Sequence, residues 1–219
     1  MDTVCITGAN RGIGLALAQQ YSETHNVYAL CRQSSSELDQ VANTTIITGV
    51  DINDSQSRLQ ALSQLPSLDI LILNAGILEG NTEDLSELEQ SIQHQLQTNA
   101  ISPLIFAKQL IPLLNSGSKV MFMTSRMGSM ADNSSGGLDG YRMSKAALNA
   151  GGKNLAHTLQ ADNIPVYLIH PGYVKTDMTN QSGREDPKAV AVQIYNLLNK
   201  LTIKHTGEFF HANGDTLPW

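Results

Sequence analysis

The feature that most limits how this chain can fold is a glycine-rich segment directly after its first β-branched run. Val4–Thr7 leads into Gly8-Ala9-Asn10-Arg11-Gly12-Ile13-Gly14, and the helix-forming run Leu15–Ala18 follows. The glycines therefore occupy a strand-to-helix turn. Such a turn lets the backbone approach an anion, which the free N–H groups and dipole of the helix start stabilise. Three glycines can also form only a tight connection, so this pattern alone indicates a phosphate site weakly.

Short β-branched runs alternate with segments of helical period along the whole chain. The predicted strands are Val4–Thr7, Asn26–Leu30, Thr45–Thr48, Asp69–Leu73, Lys119–Met123, Val166–His170 and Glu208–His211. The predicted helices lie near Ile13–Ser22, Ser36–Ala42, Ser55–Leu65, Leu85–Asn115 with an interruption around Ser102-Pro103, Tyr141–Asp162 and Pro187–Asn199. Right-handed crossovers between parallel strands place helices on both faces of a sheet. We expect one α/β domain with a Rossmann-type, doubly wound parallel sheet of about seven strands.

Composition and charge exclude several classes of protein. The 219 residues are 41% hydrophobic, which is enough for a sizeable core, and no run approaches the ~20 apolar residues of a membrane span. The 14 basic residues are outnumbered by 20 acidic ones, which argues against binding to nucleic acid or an anionic membrane. The start Met1-Asp2-Thr3 has no features of a signal peptide. We expect a cytoplasmic protein.

The cysteine, histidine and methionine residues show no pattern typical of a metal site. Cys5 and Cys31 lie in apolar runs and are expected to be buried thiols without a disulfide. The six histidines lack ligand spacing and are expected at the surface or at strand ends, so no catalytic metal is predicted. The methionines at 121, 123, 127 and 130 are expected in the core and in a pocket wall.

Tyr141 and Lys145 have the spacing that proton transfer needs. Four positions separate them, so both side chains project from the same face of a helix. A nearby ammonium favours the phenolate and lowers the pKa of the tyrosine toward neutral pH. Taken singly, this pair can be an ordinary helix face, Ser125 a strand-end cap, and Asn99 a hydrogen bonder that interrupts a helix. Together, the four residues favour catalysis.

The order of these motifs resembles the short-chain dehydrogenase/reductase family. Thr7-Gly8-x-x-x-Gly12-x-Gly14 matches the family's glycine signature, and Asn74-Ala75-Gly76 matches its Asn-Asn-Ala-Gly motif with Leu73 for the first Asn. Asn99, Ser125, Tyr141-x-x-x-Lys145 and Pro171-Gly172 follow in family order, so the matched elements span residues 3 to 176.

The resemblance implies hydride transfer between a nicotinamide and a carbon, with the proton handled by Tyr141. It implies that Lys145 forms a hydrogen bond to the nicotinamide ribose and that Ser125 forms one to the reacting oxygen. Asn99 is implied to support a chain of water molecules that leads to Lys145. The cofactor-binding residues that it implies are Gly8, Asn10, Arg11, Gly12, Ile13, Gly14, Arg32, Asp51, Ile52, Asn74, Ala75, Gly76, Tyr141, Lys145, Pro171, Gly172, Val174 and Thr176.

Four segments are similar to the C-factor-like branch of the family, which includes sniffer-type carbonyl reductases. They are residues 125–129, 141–149, 170–178 and the terminal Leu217-Pro218-Trp219. Ser125 and Tyr141 are 16 positions apart, a few more than is common in the family, so the loop 126–140 is enlarged. Only 43 residues follow Thr176, and we expect a short substrate-covering segment and an open pocket.

The residues after the second strand predict the choice of cofactor. A carboxylate there binds the ribose 2′-OH of NAD, whereas the 2′-phosphate of NADP requires cations. Here Cys31-Arg32-Gln33 contains no acid, and the next acid is Glu37. Arg32, together with Arg11 from the glycine turn, is expected to bind the 2′-phosphate, with Asp51 and Ile52 beside the adenine. Both arginines can alternatively be ordinary solvated charges.

These observations predict an NADP(H)-dependent oxidoreductase that reduces a small-molecule carbonyl or catalyses the reverse reaction. The alternatives are a weakly active or non-catalytic NADP(H)-binding protein that reports cofactor state to a partner, and a structural interaction protein. Small residues between Ala146 and Ala156 permit close helix contact, so a homodimer or larger homo-oligomer is expected. The alternative is that these small residues pack against the protein's own sheet.

Overall fold

All seven strands of the computed structural model, which describes residues 1–219, form one parallel sheet. The strands are β1 Thr3–Thr7, β2 Asn26–Leu30, β3 Thr44–Ile47, β4 Leu68–Leu73, β5 Leu114–Met123, β6 Val166–His170 and β7 Phe209–His211. Their order across the sheet is β3-β2-β1-β4-β5-β6-β7. The predicted doubly wound sheet of seven strands is confirmed.

Helices cover both faces of the sheet. They are α1 Gly12–Tyr21, α2 Ser55–Leu62, α3 Leu85–Leu96, α4 Ser102–Leu110, α5 Asp139–Leu159 and α6 Pro187–Lys200. One hydrophobic core forms where α1 and α6 pack on the sheet, and a second forms under α2, α4 and α5. Aspartate side chains cap the first turns of α2, α3 and α6, which satisfies backbone N–H groups there. None of the helices combines the length and apolar character needed to cross a bilayer.

The prediction of a helix over Ser36–Ala42 is wrong, because this segment forms turns. Local hydrogen bonds from a serine compete with helix formation here. The Ser35 hydroxyl donates to the Asn10 carbonyl at 2.8 Å and accepts from the Leu38 N–H at 3.2 Å. The segment is thereby tied to the glycine turn, and the buried Leu38 side chain anchors it to the core.

The long helix predicted over Leu85–Asn115 is divided into several elements. A π-helical turn at Gln97–Ile101 separates α3 from α4, so the interruption lies just before the predicted Ser102-Pro103. After α4 the chain forms a short 3₁₀ turn and enters β5 at Leu114. Pro112 has no backbone N–H to donate to a carbonyl of α4, which favours the end of the helix here.

The strand order places the functional motifs along one edge of the sheet. The order in which successive strands are added to the sheet reverses between the parallel neighbours β1 and β4, where Ile6 pairs with Ile72. Such a switch point leaves a crevice beyond the carboxyl ends of the strands. The glycine turn follows β1, the Asn74-Ala75-Gly76 segment follows β4, and Ser125 follows β5. These three segments therefore meet at the same crevice.

Candidate active site

The glycine turn after β1 provides an exposed helix start with free backbone donors. No side chain caps α1, and its first hydrogen bond joins the Leu15 N–H to the Arg11 carbonyl at 3.2 Å. The N–H groups of residues 12, 13 and 14 therefore have no acceptor within the helix. A Cβ at Gly14 would lie 2.1 Å from the Gly8 carbonyl oxygen, so only glycine allows this close packing. The arrangement can accept a phosphate group.

Thr7 and Asn74 join the two strands that flank the switch point. The Asn74 side-chain amide donates to the Thr7 carbonyl at 3.0 Å and to the Gly8 carbonyl at 3.3 Å. The Thr7 hydroxyl accepts from the N–H groups of Asn74 at 3.0 Å and Ala75 at 3.1 Å. The Asn74 side chain thus holds the glycine turn against the end of β4, which fixes the floor of the crevice.

Asn99 lies in the π-helical turn and is buried. Its amide nitrogen donates to the Ile77 carbonyl at 2.8 Å and the Ser144 hydroxyl at 3.0 Å, and its oxygen accepts from the Ile77 N–H at 2.8 Å. A Cβ at Gly76 would lie 3.0 Å from the Asn99 side-chain oxygen and 3.6 Å from Lys145 Nζ. The structure therefore brings both Asn99 and Lys145 close to Gly76.

Ser125, Tyr141 and Lys145 meet at the end of β5. The Ser125 hydroxyl accepts from the Met127 N–H at 3.2 Å and lies close enough to the Tyr141 phenol to lower its pKa. Lys145 Nζ lies 5.7 Å from the centre of the Tyr141 ring and donates to the Met123 carbonyl at 2.9 Å. The long spacing between Ser125 and Tyr141 is accommodated by the loop 126–140, so it does not separate the two side chains.

Burial is the main cause of the pKa shifts of Tyr141 and Lys145. It raises the pKa of Tyr141 above its ordinary value, and the neighbouring Ser125 hydroxyl only partly opposes this rise. Burial also lowers the pKa of Lys145 to about 8. The expectation that Lys145 lowers the pKa of Tyr141 is wrong for the protein without cofactor. The physical reason is that the same burial disfavours the charged forms of both side chains.

A cavity of about 580 Å³ opens beside Ser125 and Tyr141. The other predicted site residues in its wall are Ile13, Pro171, Gly172, Val174 and Thr176. Gly172 has φ +94°, and a Cβ there would lie 2.1 Å from a carboxylate oxygen of Glu185. The segment after β6 therefore turns sharply across the cavity mouth, where Thr176 also packs close to Gly12.

Several side chains of this wall were missed by the sequence analysis. They are Arg126, Asp132, Leu138, Arg142, His170, Tyr173 and Met178, among others, whereas Met127 lines the cavity as expected. His170 was expected only as a surface or strand-end histidine. Most of the others lie in the enlarged loop or after Pro171-Gly172, segments that leave strands at the ligand-binding edge, and this position was the available signal. Met130 was expected in the core or pocket wall, but it is 79% exposed.

The two arginines predicted to bind a 2′-phosphate have different surroundings. Arg11 forms an exposed ion pair with Asp177 at 3.2 Å, so the expectation of no acid near this pair is wrong for Arg11. The turn after Pro171-Gly172 folds back over the start of α1 and delivers this carboxylate. Arg32 directly follows the last residues of β2, is exposed and has no ion-pair partner.

Asp51 and Ile52, predicted beside the adenine, follow β3 at the same edge of the sheet. The Asp51 carboxylate accepts from the Asn53 N–H at 2.9 Å, and the Ile52 side chain is buried. Asn53 continues inward and donates to the Thr98 hydroxyl at 2.9 Å, one residue from Asn99. The segment after β3 is thus linked to the π-helical turn.

Comparison with known proteins places the chain in a family. A family model described as short chain dehydrogenase matches residues 2–187. A 1-hydroxy-2-glutathionyl-2-methyl-3-butene dehydrogenase of Rhodococcus is 35% identical over 230 residues, which cover both chains completely. The carbonyl reductase Sniffer of D. melanogaster superposes with a TM-score of 0.90, at 28% identity over all of both chains.

An NADPH-bound carbonyl reductase from chicken fatty liver superposes with a TM-score of 0.88. It is 27% identical, and the match covers 100% of this chain and 99% of that one. These similarities agree with the resemblance seen in the sequence motifs. The match over residues 2–187 shows that this chain belongs to the short-chain dehydrogenase family.

Proposed function

We propose that the protein is an NADP(H)-dependent oxidoreductase that reduces a small-molecule carbonyl compound or oxidises the matching alcohol. The observation that carries the proposal is that Ser125 and Tyr141 line one cavity, with the buried Lys145 amine beside the Tyr141 ring and an uncapped helix start nearby. A protein that only bound a nucleotide would not need this proton-handling set, and we therefore favour the enzyme over a non-catalytic reporter of cofactor state.

The residues at the crevice fit a dinucleotide. The free N–H groups at the start of α1 suit its pyrophosphate, and the close Gly8–Gly14 contact leaves the turn without side chains that would block it. Arg32, with Arg11, would hold the 2′-phosphate, and Asp51 and Ile52 the adenine. Asn74–Gly76 and Pro171–Thr176 would flank the nicotinamide half. When bound, NADPH supplies the hydride for the carbonyl carbon. The similarity to the NADPH-bound chicken reductase supports this choice.

The chain itself would orient the carbonyl and supply the proton. The Ser125 hydroxyl donates to the carbonyl oxygen and holds it beside the Tyr141 phenol. Because burial raises the pKa of Tyr141, the phenol keeps its proton at neutral pH and can act as the general acid of reduction. Lys145, which like Asn99 lies close to Gly76, would return a proton to Tyr141 after each turnover.

The substrate would be a small organic molecule. The Rhodococcus relative is named for an alcohol that carries a glutathionyl group, and the superposed fly and chicken proteins are named as carbonyl reductases. These names support a carbonyl–alcohol interconversion and leave the individual compound open. A location in the cytoplasm remains a prediction from the sequence.

The first prediction tests the proposed activity and its acid together. NADPH oxidation is followed with a panel of aldehydes, ketones, diketones and quinones, and at least one class should be reduced. Tyr141→Phe keeps the ring's packing but removes the proton donor, so kcat should fall by roughly 10²–10⁴-fold on an active substrate. NADPH affinity, measured by fluorescence titration, should stay near that of the unaltered protein. A Tyr141→Phe variant with near-normal turnover would contradict the assignment.

The second prediction concerns cofactor choice. Arg32→Ala should weaken NADPH binding by about 10-fold, because a charge-assisted bond to the 2′-phosphate is lost, and should leave NADH binding nearly unchanged. Arg11→Ala should have a smaller effect in the same direction, since Asp177 already occupies its guanidinium.

Asp177→Asn is the matched variant for the Arg11 assignment. It frees Arg11 and should tighten NADPH binding relative to NADH in an isothermal titration. The arginine assignments fail if the unaltered protein binds NADH as tightly as NADPH.

The third prediction uses the buried amine of Lys145. Its folded-state pKa of about 8 lies below the ordinary 10.5, so at pH 7 the ammonium is buried at a cost in folding free energy. Lys145→Met should therefore raise the free energy of unfolding by about 1–3 kcal/mol at pH 7 and abolish turnover. The lost bond to the Met123 carbonyl reduces this gain.

The pH dependence of the stability gained by Lys145→Met tests whether the buried charge of Lys145 is its cause. As pH rises from 8 to 10.5 the folded protein releases the Lys145 proton before the unfolded chain does, so the unaltered protein gains stability and its deficit against Lys145→Met shrinks. Urea unfolding at pH 7 and pH 9.5 measures this, with the exposed Lys108→Met as control. A stability difference that is the same at both pH values would count against a buried charge.

The fourth prediction is a homodimer formed by the helices α4 and α5. Gly152 packs on Leu168 of the protein's own sheet, and Gly151 packs on Leu104. These two small residues therefore make contacts within the chain, as the alternative to a dimer contact expects. The exposed apolar side chains Ile101, Ile105 and Met143 are still available to a second copy. Light scattering at micromolar protein should show twice the 23.7 kDa of one chain. A species of 23.7 kDa alone would reject the dimer.

A further inference from the structure

His170 is a polar side chain of the cavity wall whose hydrogen-bonding groups the protein does not use. It is the last residue of β6 and precedes Pro171-Gly172. Its Nδ1 is enclosed by the protein without a hydrogen-bond partner, whereas Nε2 is not enclosed. Buried polar atoms without partners are uncommon in proteins and call for an explanation. His170 lines the cavity, so we take its open nitrogen as the one available to a substrate.

The sheet places His170 beside Thr124, the residue that precedes Ser125. Met123 of β5 pairs with Ile169 of β6, and the Thr124 N–H donates to the Ile169 carbonyl at 2.9 Å. Neighbouring strands lie about 4.8 Å apart, so Ser125 leaves β5 one residue beyond the level of His170. Both residues line the same cavity, and a molecule held at Ser125 therefore shares that cavity with the imidazole.

The surroundings keep the imidazole neutral. Burial, His211, Arg126 and Lys145 all lower the pKa of His170, to about 3. The His211 ring packs edge-on with its centre 5.2 Å away. A buried N–H without an acceptor is rarer in proteins than a buried acceptor without a donor, so we assign the single proton to Nε2. Nε2–H is then a hydrogen-bond donor at catalytic pH.

We infer that His170 is a substrate-binding residue that selects carbonyl compounds with a second oxygen next to the reacting carbonyl. Ser125 binds the reacting oxygen, and Nε2–H of His170 donates to the second one. The inference rests on the proposed function, because it names the substrate class of the same cavity. A monocarbonyl compound leaves the imidazole donor without a partner and loses this contribution to binding.

A pair of substrates that differ by one oxygen tests the inference. We compare kcat/KM for 2,3-hexanedione and 2-hexanone with NADPH, in the unaltered protein and in His170→Met. The variant should lose about 10-fold for the diketone and less than about 3-fold for the monoketone, because a donor to the second oxygen is removed. The ratio between proteins cancels the greater intrinsic reactivity of the diketone.

Two further variants separate hydrogen bonding from packing. His170→Gln carries an amide N–H near the position of Nε2 and should restore most of the diketone preference. His211→Leu alters the ring that packs behind His170 without entering the cavity wall and should leave the preference unchanged. An equal loss in His211→Leu and His170→Met, or no rescue by glutamine, would overturn the inference.

A binding measurement gives a readout other than turnover. In an NMR spectrum of the protein with ¹⁵N-labelled histidine and NADP⁺, the Nε2 resonance of His170 is identified by its absence in His170→Gln. Addition of 2,3-hexanediol should shift this resonance, whereas addition of 2-hexanol should not. Equal shifts with both alcohols would contradict the inference. Failure of the unaltered protein to reduce any carbonyl compound would instead contradict the proposed function, so the two failures are distinguishable.

Discussion

The burial of one lysine amine determines how the parts of this site are arranged. Lys145 reaches from α5 across the end of β5, where it donates to the Met123 carbonyl, and lies beside Gly76 at the end of β4 and Asn99 in the π-helical turn. Enclosing an amine in this way lowers its pKa to about 8 and costs folding free energy at neutral pH. Because nothing in the fold requires a charge at this position, we attribute its presence to catalysis.

Close approach of backbones makes this arrangement possible. A Cβ at Gly128 would lie 2.7 Å from the Lys145 carbonyl carbon, so the first turn of the enlarged loop packs directly on the α5 backbone. At Gly76, a side chain would enter the space between Asn99 and Lys145. The backbones of Gly8 and Gly14 also pack too closely to leave room for a side chain. Glycine therefore acts at this crevice through the absence of a side chain, and at Gly8, Gly12 and Gly172 also through its positive φ.

The sequence predicts the sheet and the shared helix face of Tyr141 and Lys145 because both depend on local patterns. Alternating strand and helix runs fix the parallel order, and the spacing from Tyr141 to Lys145 fixes their shared face. The turn at Ser36–Ala42 was missed, since Ser35 bonds to Asn10 across a gap that periodicity cannot show. The Arg11–Asp177 pair joins residues 166 positions apart. The surroundings of His170 appear only once the register of β5 and β6 brings it beside Thr124, the residue before Ser125.

We propose that this crevice carries a carbonyl reduction for which NADPH, when bound, would supply the hydride directly to the substrate carbon. The most direct measurement uses NADPH deuterated at the transferable C4 position, with a carbonyl compound that the protein reduces, and mass spectrometry of the alcohol. Direct transfer predicts one deuterium on the former carbonyl carbon, in a single stereochemical configuration fixed by the orientation at Ser125 and Tyr141. An alcohol without deuterium, or with deuterium in both configurations equally, would contradict the account.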